Sequence, residues 1–203
     1  MVRQSDSGVR GSARLRDELT RAIEAAAVDE LAENGYGRFS MAAVARRAGV
    51  GKAAIYRRWA TQEAMLIDLL APKAVLLAAG PASDTLAGDV RAFVEATRRA
   101  FAVPRVASIV ADLFAEALRN PSLFRVLHEE VTVPRRAGAA EMLARATARG
   151  EIPSDVDLDA ALDLLAGPSV VRMMTSTEPP SDAWVDSTVA MLLRALGYDA
   201  RSA

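Results

Sequence analysis

The sequence predicts an all-α protein, and three observations favour that class. Aromatic residues make up only 5% of the chain, whereas Ala, Leu, Arg and Glu, which favour helices, are abundant. Apolar residues recur at helical spacing along most of the chain, and no segment alternates with the period of a strand. Gly, Pro, Ser and Asp, which end or cap helices, separate these patterns. We expect about nine helices and no membrane span, because charges interrupt every apolar run.

The first helical pattern spans about Ala13 to Asn34, and Gly35 ends it. Its apolar side chains recur four residues apart and form one stripe, which comprises Leu15, Leu19, Ile23, Ala27 and Leu31. We expect residues 1–12 to form a flexible, mildly basic arm. These residues lack the apolar core of a signal peptide, so we expect a cytoplasmic protein.

A short helix is predicted to follow Ser40, which is a good N-cap. Phe39 and Val44 occupy the two positions of a hydrophobic staple around that cap. The helix is predicted to end at Ala48, because Gly49 can adopt the left-handed conformation of a sharp turn.

A second short helix is predicted from about Lys52 to Trp59, and a longer one begins after Thr61. The two short helices and the glycine turn between them have the dimensions of a helix-turn-helix, whose second helix enters the major groove of DNA. The side chains expected to lock the two helices together are Val44, Ala48, Val50 and Ile55.

Positive charge is concentrated in this part of the sequence. Six basic residues and no acidic residue lie between Asn34 and Ala60, whereas the rest of the chain carries 19 Lys and Arg against 26 Asp and Glu. Such an island indicates a DNA-binding surface. The alternative is a helical hairpin with a solvated charged face.

Residues 14–70 resemble the N-terminal domain of the TetR family of bacterial transcriptional regulators. The resemblance rests on Ser40…Val44-Ala45-Arg46-Arg47-Ala48-Gly49-Val50, on Gly51-Lys52-Ala53-Ala54-Ile55-Tyr56-Arg57-Arg58-Trp59, and on Thr61-Gln62-Glu63-Ala64-Met65. It implies an arm over 1–12, a DNA-binding domain over 13–60 and a helical regulatory and dimerisation domain over 61–203.

The resemblance and the charge pattern together predict a set of DNA-contacting residues, with Ser40 also a helix cap and Tyr56 an anchor on the DNA backbone. The set is Ser40, Arg46, Arg47, Gly51, Lys52, Ala53, Ala54, Tyr56, Arg57 and Arg58. The family's usual hydroxyl residues are replaced by Gly51 and Ala54, and its usual His by Arg58. We therefore expect guanidinium contacts to replace contacts made by hydroxyl groups.

Further helical patterns lie at about 85–102, 105–119, 121–149, 157–175 and 182–197, and Pro134 and Pro168 predict kinks. The apolar faces of the last two helices are wider than burial against one neighbour requires. This width predicts a two-fold homodimer interface, which the resemblance also implies. A deeply buried core helix would show the same pattern. The predicted interface residues are Leu158, Leu162, Leu165, Val185, Val189, Leu192 and Leu196.

The middle helices could enclose a small molecule. The predicted pocket residues are Phe93, Phe114, His128 and Met173, and the further candidates are Phe101, Phe124, Met174, Arg172 and Glu116. Each of these residues also fits an ordinary core or surface position. The acidic stretch from Glu151 to Asp163 is interpreted as a solvated turn followed by a helix capped by Asp157, and not as a metal site.

These observations favour a dimeric transcriptional regulator, expected to be a repressor, that binds a palindromic operator on double-stranded DNA and is released by a small, apolar effector. An activator, or a regulator controlled by a protein partner, would have the same sequence features. An enzyme is disfavoured, because the chain has no cysteine, one histidine and no phosphate-binding glycine loop, and we expect no cofactor.

Overall fold

The computed structural model describes residues 6–78, 83–176 and 178–199. The chain divides into two compact units, residues 1–69 and 70–203. The boundary follows Leu69, inside the fourth helix, and not Ala60 as the sequence pattern suggested. The described residues form nine helices if 121–148 is counted as one interrupted helix, so the all-α class and the helix number are confirmed.

The N-terminal unit contains α1 (Asp6–Asn34), α2 (Met41–Arg47), α3 (Lys52–Arg58) and the first part of α4 (Gln62–Ala78). A single 3-10 turn, Tyr36–Arg38, joins α1 to α2. The start of α1 at Asp6 differs from the predicted start near Ala13. The apolar stripe begins only at Leu15, but residues 6–12, which the sequence assigned to a flexible arm, are helical.

The core of the N-terminal unit combines residues from all four helices. Val44 and Ile55 are fully buried, as the helix-turn-helix pattern predicts, whereas Ala48 and Val50 are only partly buried. Phe39 is also buried, which agrees with its predicted role in a staple with Val44. The other buried apolar side chains include Ile23, Leu31, Trp59, Met65, Leu66 and Leu69.

The C-terminal unit contains the rest of α4 and six further helices. These are α5 (Leu86–Phe101), α6 (Pro104–Ala117), α7 (Pro121–Leu127), α8 (Val133–Ala148), α9 (Leu158–Thr175) and α10 (Asp182–Ala195). Helix α5 packs against α6, α8, α9 and α10, so it forms the centre of this unit. No helix in the described ranges is long and apolar enough to span a membrane.

The predicted helix over 121–149 is interrupted by one π-helical turn, His128–Thr132, between α7 and α8. Pro134 lies two residues after this turn and has no N–H to donate to the carbonyl four residues earlier, which explains why the α-helical ladder breaks here. Pro168 lies inside α9, and the helix continues beyond it to Thr175.

The acidic stretch after α8 is only partly solvated. Asp157 caps α9 by accepting a hydrogen bond from the Ala160 N–H at 3.0 Å, as predicted. Glu151, in contrast, is fully buried, so its assignment to a solvated turn was wrong. Its carboxylate accepts hydrogen bonds from the Leu86 N–H at 3.0 Å and from the Arg149 guanidinium at 2.6 Å, and therefore caps the N-terminus of α5.

The residues predicted for the dimer interface face the core of their own subunit. Leu162, Leu165, Val185, Val189, Leu192 and Leu196 all lie in the core of the C-terminal unit, and only Leu158 is exposed. This assignment was therefore wrong for six of the seven residues. Their stripe packs against α5, and the neighbouring stripe of α9 is exposed instead. Val171 and Met174 on that stripe are 60% and 58% exposed.

Candidate nucleic-acid interface

The turn between α2 and α3 depends on Gly49. This residue has a φ of 68°, in the left-handed region that side chains with a Cβ rarely adopt. The Val50 N–H donates to the Ala45 carbonyl at 2.9 Å and the Gly49 N–H to the Arg46 carbonyl at 3.3 Å, which closes the end of α2. The Ser40 hydroxyl oxygen accepts from the Ala43 N–H at 3.3 Å, which confirms the predicted cap at the other end.

Helix α3 presents a polar face to solvent and one apolar anchor to the core. Ile55 is fully buried, whereas Lys52, Ala53, Tyr56 and Arg57 are exposed. Tyr56 is 53% exposed although it is aromatic. The predicted contacts Gly51 and Ala54 are exposed and partly buried, respectively.

Arg58 is exposed but makes side-chain contacts within the N-terminal unit, and it differs in this respect from its neighbour Arg57. Its guanidinium donates to Thr20 Oγ1 and to Asp68 Oδ2, both at 3.2 Å. It also lies over the Trp59 ring, 4.3 Å from the ring centroid, and the Trp59 indole N–H donates to the same Asp68 oxygen at 2.9 Å. Arg58 therefore joins the end of α3 to α1 and α4.

Arg47 is also engaged within the unit. Its Nε donates to the buried carboxylate of Glu30 at 3.0 Å, and both terminal nitrogens donate to Glu33. Hydrogen bonding to Glu33, followed by the attraction of both carboxylates, raises the pKa of Arg47 despite the opposing effect of desolvation. This side chain fixes α2 against α1.

Three cations of the predicted set make no such ion pair in the part of the chain that the structure describes. Within the described part of the chain, no acidic side chain pairs with Arg46, Lys52 or Arg57. All three are exposed. We call Arg46, Lys52, Tyr56 and Arg57 the reading face.

A further polar contact ties the 3-10 turn to α4. The Tyr36 hydroxyl donates to Glu63 Oε1 at 2.7 Å, and Tyr36 is buried. Burial alone would raise the pKa of Glu63, but hydrogen bonds from Tyr36, from its own backbone N–H and from Thr61 outweigh it and lower the pKa. Glu63 is therefore ionised at neutral pH and helps to hold α4 against the turn.

The four residues predicted for a ligand pocket do not come together. Phe93 belongs to the core, Phe114 is exposed, and the exposed His128 stacks on Phe124 with ring centroids 5.9 Å apart. Met173 alone of the four lines a cavity of about 330 Å³ in the C-terminal unit. The cavity is also lined by Ser169, Arg172 and Trp184. Sequence reasoning missed Ser169 and Trp184, since no motif marks them.

Comparison with known proteins agrees with this geometry. Residues 23–69 match the family model described as bacterial regulatory proteins, tetR family, and residues 81–192 match the tetracyclin repressor-like C-terminal domain. The HTH-type transcriptional regulator Rv1556 of Mycobacterium tuberculosis is 31% identical, over 78% of this chain and 78% of its own length. The DNA-binding transcriptional repressor TetR of Mycobacteroides abscessus is 30% identical, over 85% and 93%.

The fold is also found in solved structures. The transcriptional regulator FadR from Bacillus subtilis, solved in complex with stearoyl-CoA, superposes with a TM-score of 0.71 at 20% identity, over 85% of this chain and 97% of that one. The family models cover the helix-turn-helix and most of the C-terminal helices, and the sequence relatives extend over both units. The chain therefore belongs to the TetR family of helix-turn-helix transcriptional regulators.

Proposed function

We propose that the protein is a dimeric repressor that binds a palindromic DNA operator in the cytoplasm through the reading face and leaves the operator when a small molecule binds its C-terminal unit. The observation that carries the DNA-binding part is the reading face itself. Lys52, Arg57 and the exposed Tyr56 lie on α3, and Arg46 lies at the end of α2, across the turn that Gly49 makes. Lys and Arg neutralise phosphates or bind guanine, and a tyrosine hydroxyl donates to phosphate oxygens.

The structure refines which predicted residues we assign to DNA. We propose that Arg46, Lys52, Tyr56 and Arg57 make the contacts, with Ala53 and Ala54 close to bases and Ser40 and Gly51 close to the DNA backbone. Arg47 and Arg58 are instead proposed to position α2 and α3, because carboxylates already occupy their guanidinium groups. Their contribution to binding is then an indirect one.

We propose that dimerisation uses the exposed stripe of α9 that includes Leu164, Val171 and Met174, together with Met191 on α10. Exposed apolar side chains aligned on adjacent helices are typical of a surface that a partner covers. A two-fold dimer presents two copies of α3, so the operator half-sites should be related by the same symmetry and lie about one helical turn of DNA apart.

The names of two similar proteins support the proposal of repression and of release by an effector. The relative from Mycobacteroides abscessus is named a repressor, and the FadR structure contains stearoyl-CoA. An effector that binds the DNA-free conformation more tightly would release the operator by shifting the population. An activator with the same fold would bind the same operator but raise transcription, and a protein-controlled regulator would respond to no small molecule.

The test is in vitro selection of random double-stranded DNA with the purified full chain. A palindromic consensus bound by a dimer is expected, and the Tyr56→Phe and Lys52→Ala variants should lose affinity while keeping their helicity and dimeric state. If no consensus is recovered, or if a variant that combines Tyr56→Phe and Lys52→Ala binds DNA as tightly as the wild type, the assignment of α3 as the DNA-contacting helix is overturned. A reporter gene carrying the selected site then distinguishes repression from activation.

A further inference from the structure

The C-terminal unit contains a cavity that two unpaired polar side chains line. Its volume is about 330 Å³, at the small end of the range for small-molecule sites. Its walls come from α5, α6, α9 and α10 and from the segment that precedes α10. Every residue that lines it belongs to the C-terminal unit.

Two polar side chains of α9 line this cavity without a hydrogen-bond partner in the protein. Ser169 is only 5% exposed, and its hydroxyl oxygen is buried and makes no hydrogen bond. The Nε of Arg172 is likewise buried and unpaired. The two residues are three positions apart, so they lie on the same side of α9. Buried polar groups are nearly always satisfied in folded proteins, so this pair indicates a group that supplies the missing acceptors.

The charges around the cavity favour an anion at Arg172. Arg98 also lines the cavity, but its guanidinium pairs with Glu95 at 2.9 Å and with Asp182 at 2.8 Å. Arg172, in contrast, has no ion pair among the described residues. A carboxylate has two acceptor oxygens, one for the Arg172 Nε–H and one for the Ser169 hydroxyl.

The rest of the lining restricts the ligand further. Phe101, Met173 and Trp184 provide apolar walls, which suit an aromatic or short aliphatic body. Glu178 is exposed and supplies the one carboxylate of the lining. It would repel a second negative charge, so the lining favours a single carboxylate over a dicarboxylate or a phosphate dianion.

We propose that this cavity binds a compact monocarboxylate, with its carboxylate on Arg172 and Ser169 and its apolar body between Phe101, Met173 and Trp184. The inference rests on the proposed function, since such a ligand would be the effector. It replaces the purely apolar effector expected from the sequence with an amphipathic one. A charge-assisted hydrogen bond inside a partly apolar cavity provides selectivity, because a neutral analogue leaves the guanidinium unpaired.

The experiment uses isothermal titration calorimetry on the full chain with three pairs of probes. Each pair is a carboxylate and its uncharged amide: benzoate and benzamide, 3-phenylpropanoate and 3-phenylpropanamide, octanoate and octanamide. At least one carboxylate is expected to bind at least about ten-fold more tightly than its amide, which corresponds to the lower end of the range for hydrogen bonds to charged groups. Absence of binding by all three carboxylates, or equal affinity for the two members of every pair, would overturn the proposal.

The variants separate the role of the site from a general effect of charge. Arg172→Met should abolish the preference, so that a carboxylate and its amide bind with about equal affinity. Arg99→Met should leave the preference unchanged, because Arg99 is an exposed arginine of α5 outside the lining. Ser169→Ala is a milder change that should weaken carboxylate binding about five-fold, so it decides the matter if Arg172→Met does not fold. A preference that survives in both cavity variants contradicts the proposal.

DNA binding measured on the same preparations distinguishes failure of this inference from failure of the proposed function. If a palindromic site is bound but no carboxylate is preferred, the ligand assignment is wrong and the DNA-binding assignment stands. If a carboxylate binds at Arg172 but no operator is selected, the assignment of α3 is wrong and that of the cavity stands.

Discussion

The difference between Arg57 and Arg58 leads to a quantitative prediction about the salt dependence of DNA binding. The two arginines are adjacent in α3, and either substitution by glutamine removes one positive charge. Arg57 has no acidic partner within the described residues, whereas Arg58 pairs with Asp68 and packs on Trp59. We therefore expect Arg57 to release counterions from DNA when it binds, and Arg58 to release none.

The magnitude follows from the number of phosphates neutralised. If Arg46, Lys52 and Arg57 each contact one phosphate in both subunits, the dimer neutralises about six phosphates through them. Each phosphate contributes about 0.9 to the magnitude of the slope of the logarithm of the DNA association constant against the logarithm of the salt concentration, so together they contribute about 5.4. Arg57→Gln removes two of these contacts from the dimer and should lower the slope by about 1.8. Arg58→Gln should weaken binding through a less ordered α3 while leaving the slope almost unchanged.

The assay is fluorescence anisotropy with a labelled duplex that carries the selected operator, titrated at several KCl concentrations for the wild type and both variants. Circular dichroism checks that each variant remains helical. Equal losses of slope in the two variants would refute the reasoning, because they would show that the intramolecular pairing of Arg58 does not remove it from the DNA interface. A slope unchanged by Arg57→Gln would remove Arg57 from the reading face.

Three further predictions concern stability, pH and assembly. Glu151→Ala should lower the free energy of unfolding by about 3 kcal/mol in urea titrations, because it leaves the buried Leu86 N–H without an acceptor and breaks the pair with Arg149, and Glu151→Gln should lose less. The lowered pKa of Glu63 stabilises the fold above its ordinary value of 4.5, and this contribution is lost as the pH falls through the folded-state pKa. Thermal melts between pH 6 and 3 should therefore show a smaller loss of stability in Tyr36→Phe than in the wild type, and an equal loss would contradict the role of Tyr36. Val171→Glu should shift the protein from dimer to monomer in analytical ultracentrifugation, whereas Val185→Ala, a core change, should lower the melting temperature and leave the dimer intact.

The helix-turn-helix could be predicted from the sequence because its signals are local. Ser40 and Gly49 mark the two ends of α2, and the observed helix agrees with both. The roles of Arg47 and Arg58 could not be predicted, because their partners lie 10 to 38 residues away in the sequence. A cation that is bound to a distant carboxylate has the same sequence pattern as a free one.

The C-terminal unit was harder to predict, because a wide apolar face does not reveal what covers each stripe. The stripe of α9 that contains Leu162 and Leu165 and the stripe that contains Val171 and Met174 are both apolar. Only packing against α5 shows that the first one is internal. Glu151 was misassigned for a related reason. A carboxylate in an acidic stretch is expected to face solvent, and only the structure shows that the buried N-terminus of α5 donates a hydrogen bond to it.

The connectivity of the C-terminal unit has a consequence for protein synthesis. Glu151 receives a hydrogen bond from Leu86 through its carboxylate and one from the Asp199 N–H, at 3.0 Å, through its backbone carbonyl. Val185 and Leu192 of α10 pack in the same core as Val90 of α5. During translation, α5 therefore cannot complete its packing until α10, about a hundred residues later, has been synthesised. The N-terminal unit, in contrast, is one contiguous stretch that is synthesised before the C-terminal unit. A nascent chain would then possess a folded N-terminal unit before its C-terminal unit is complete.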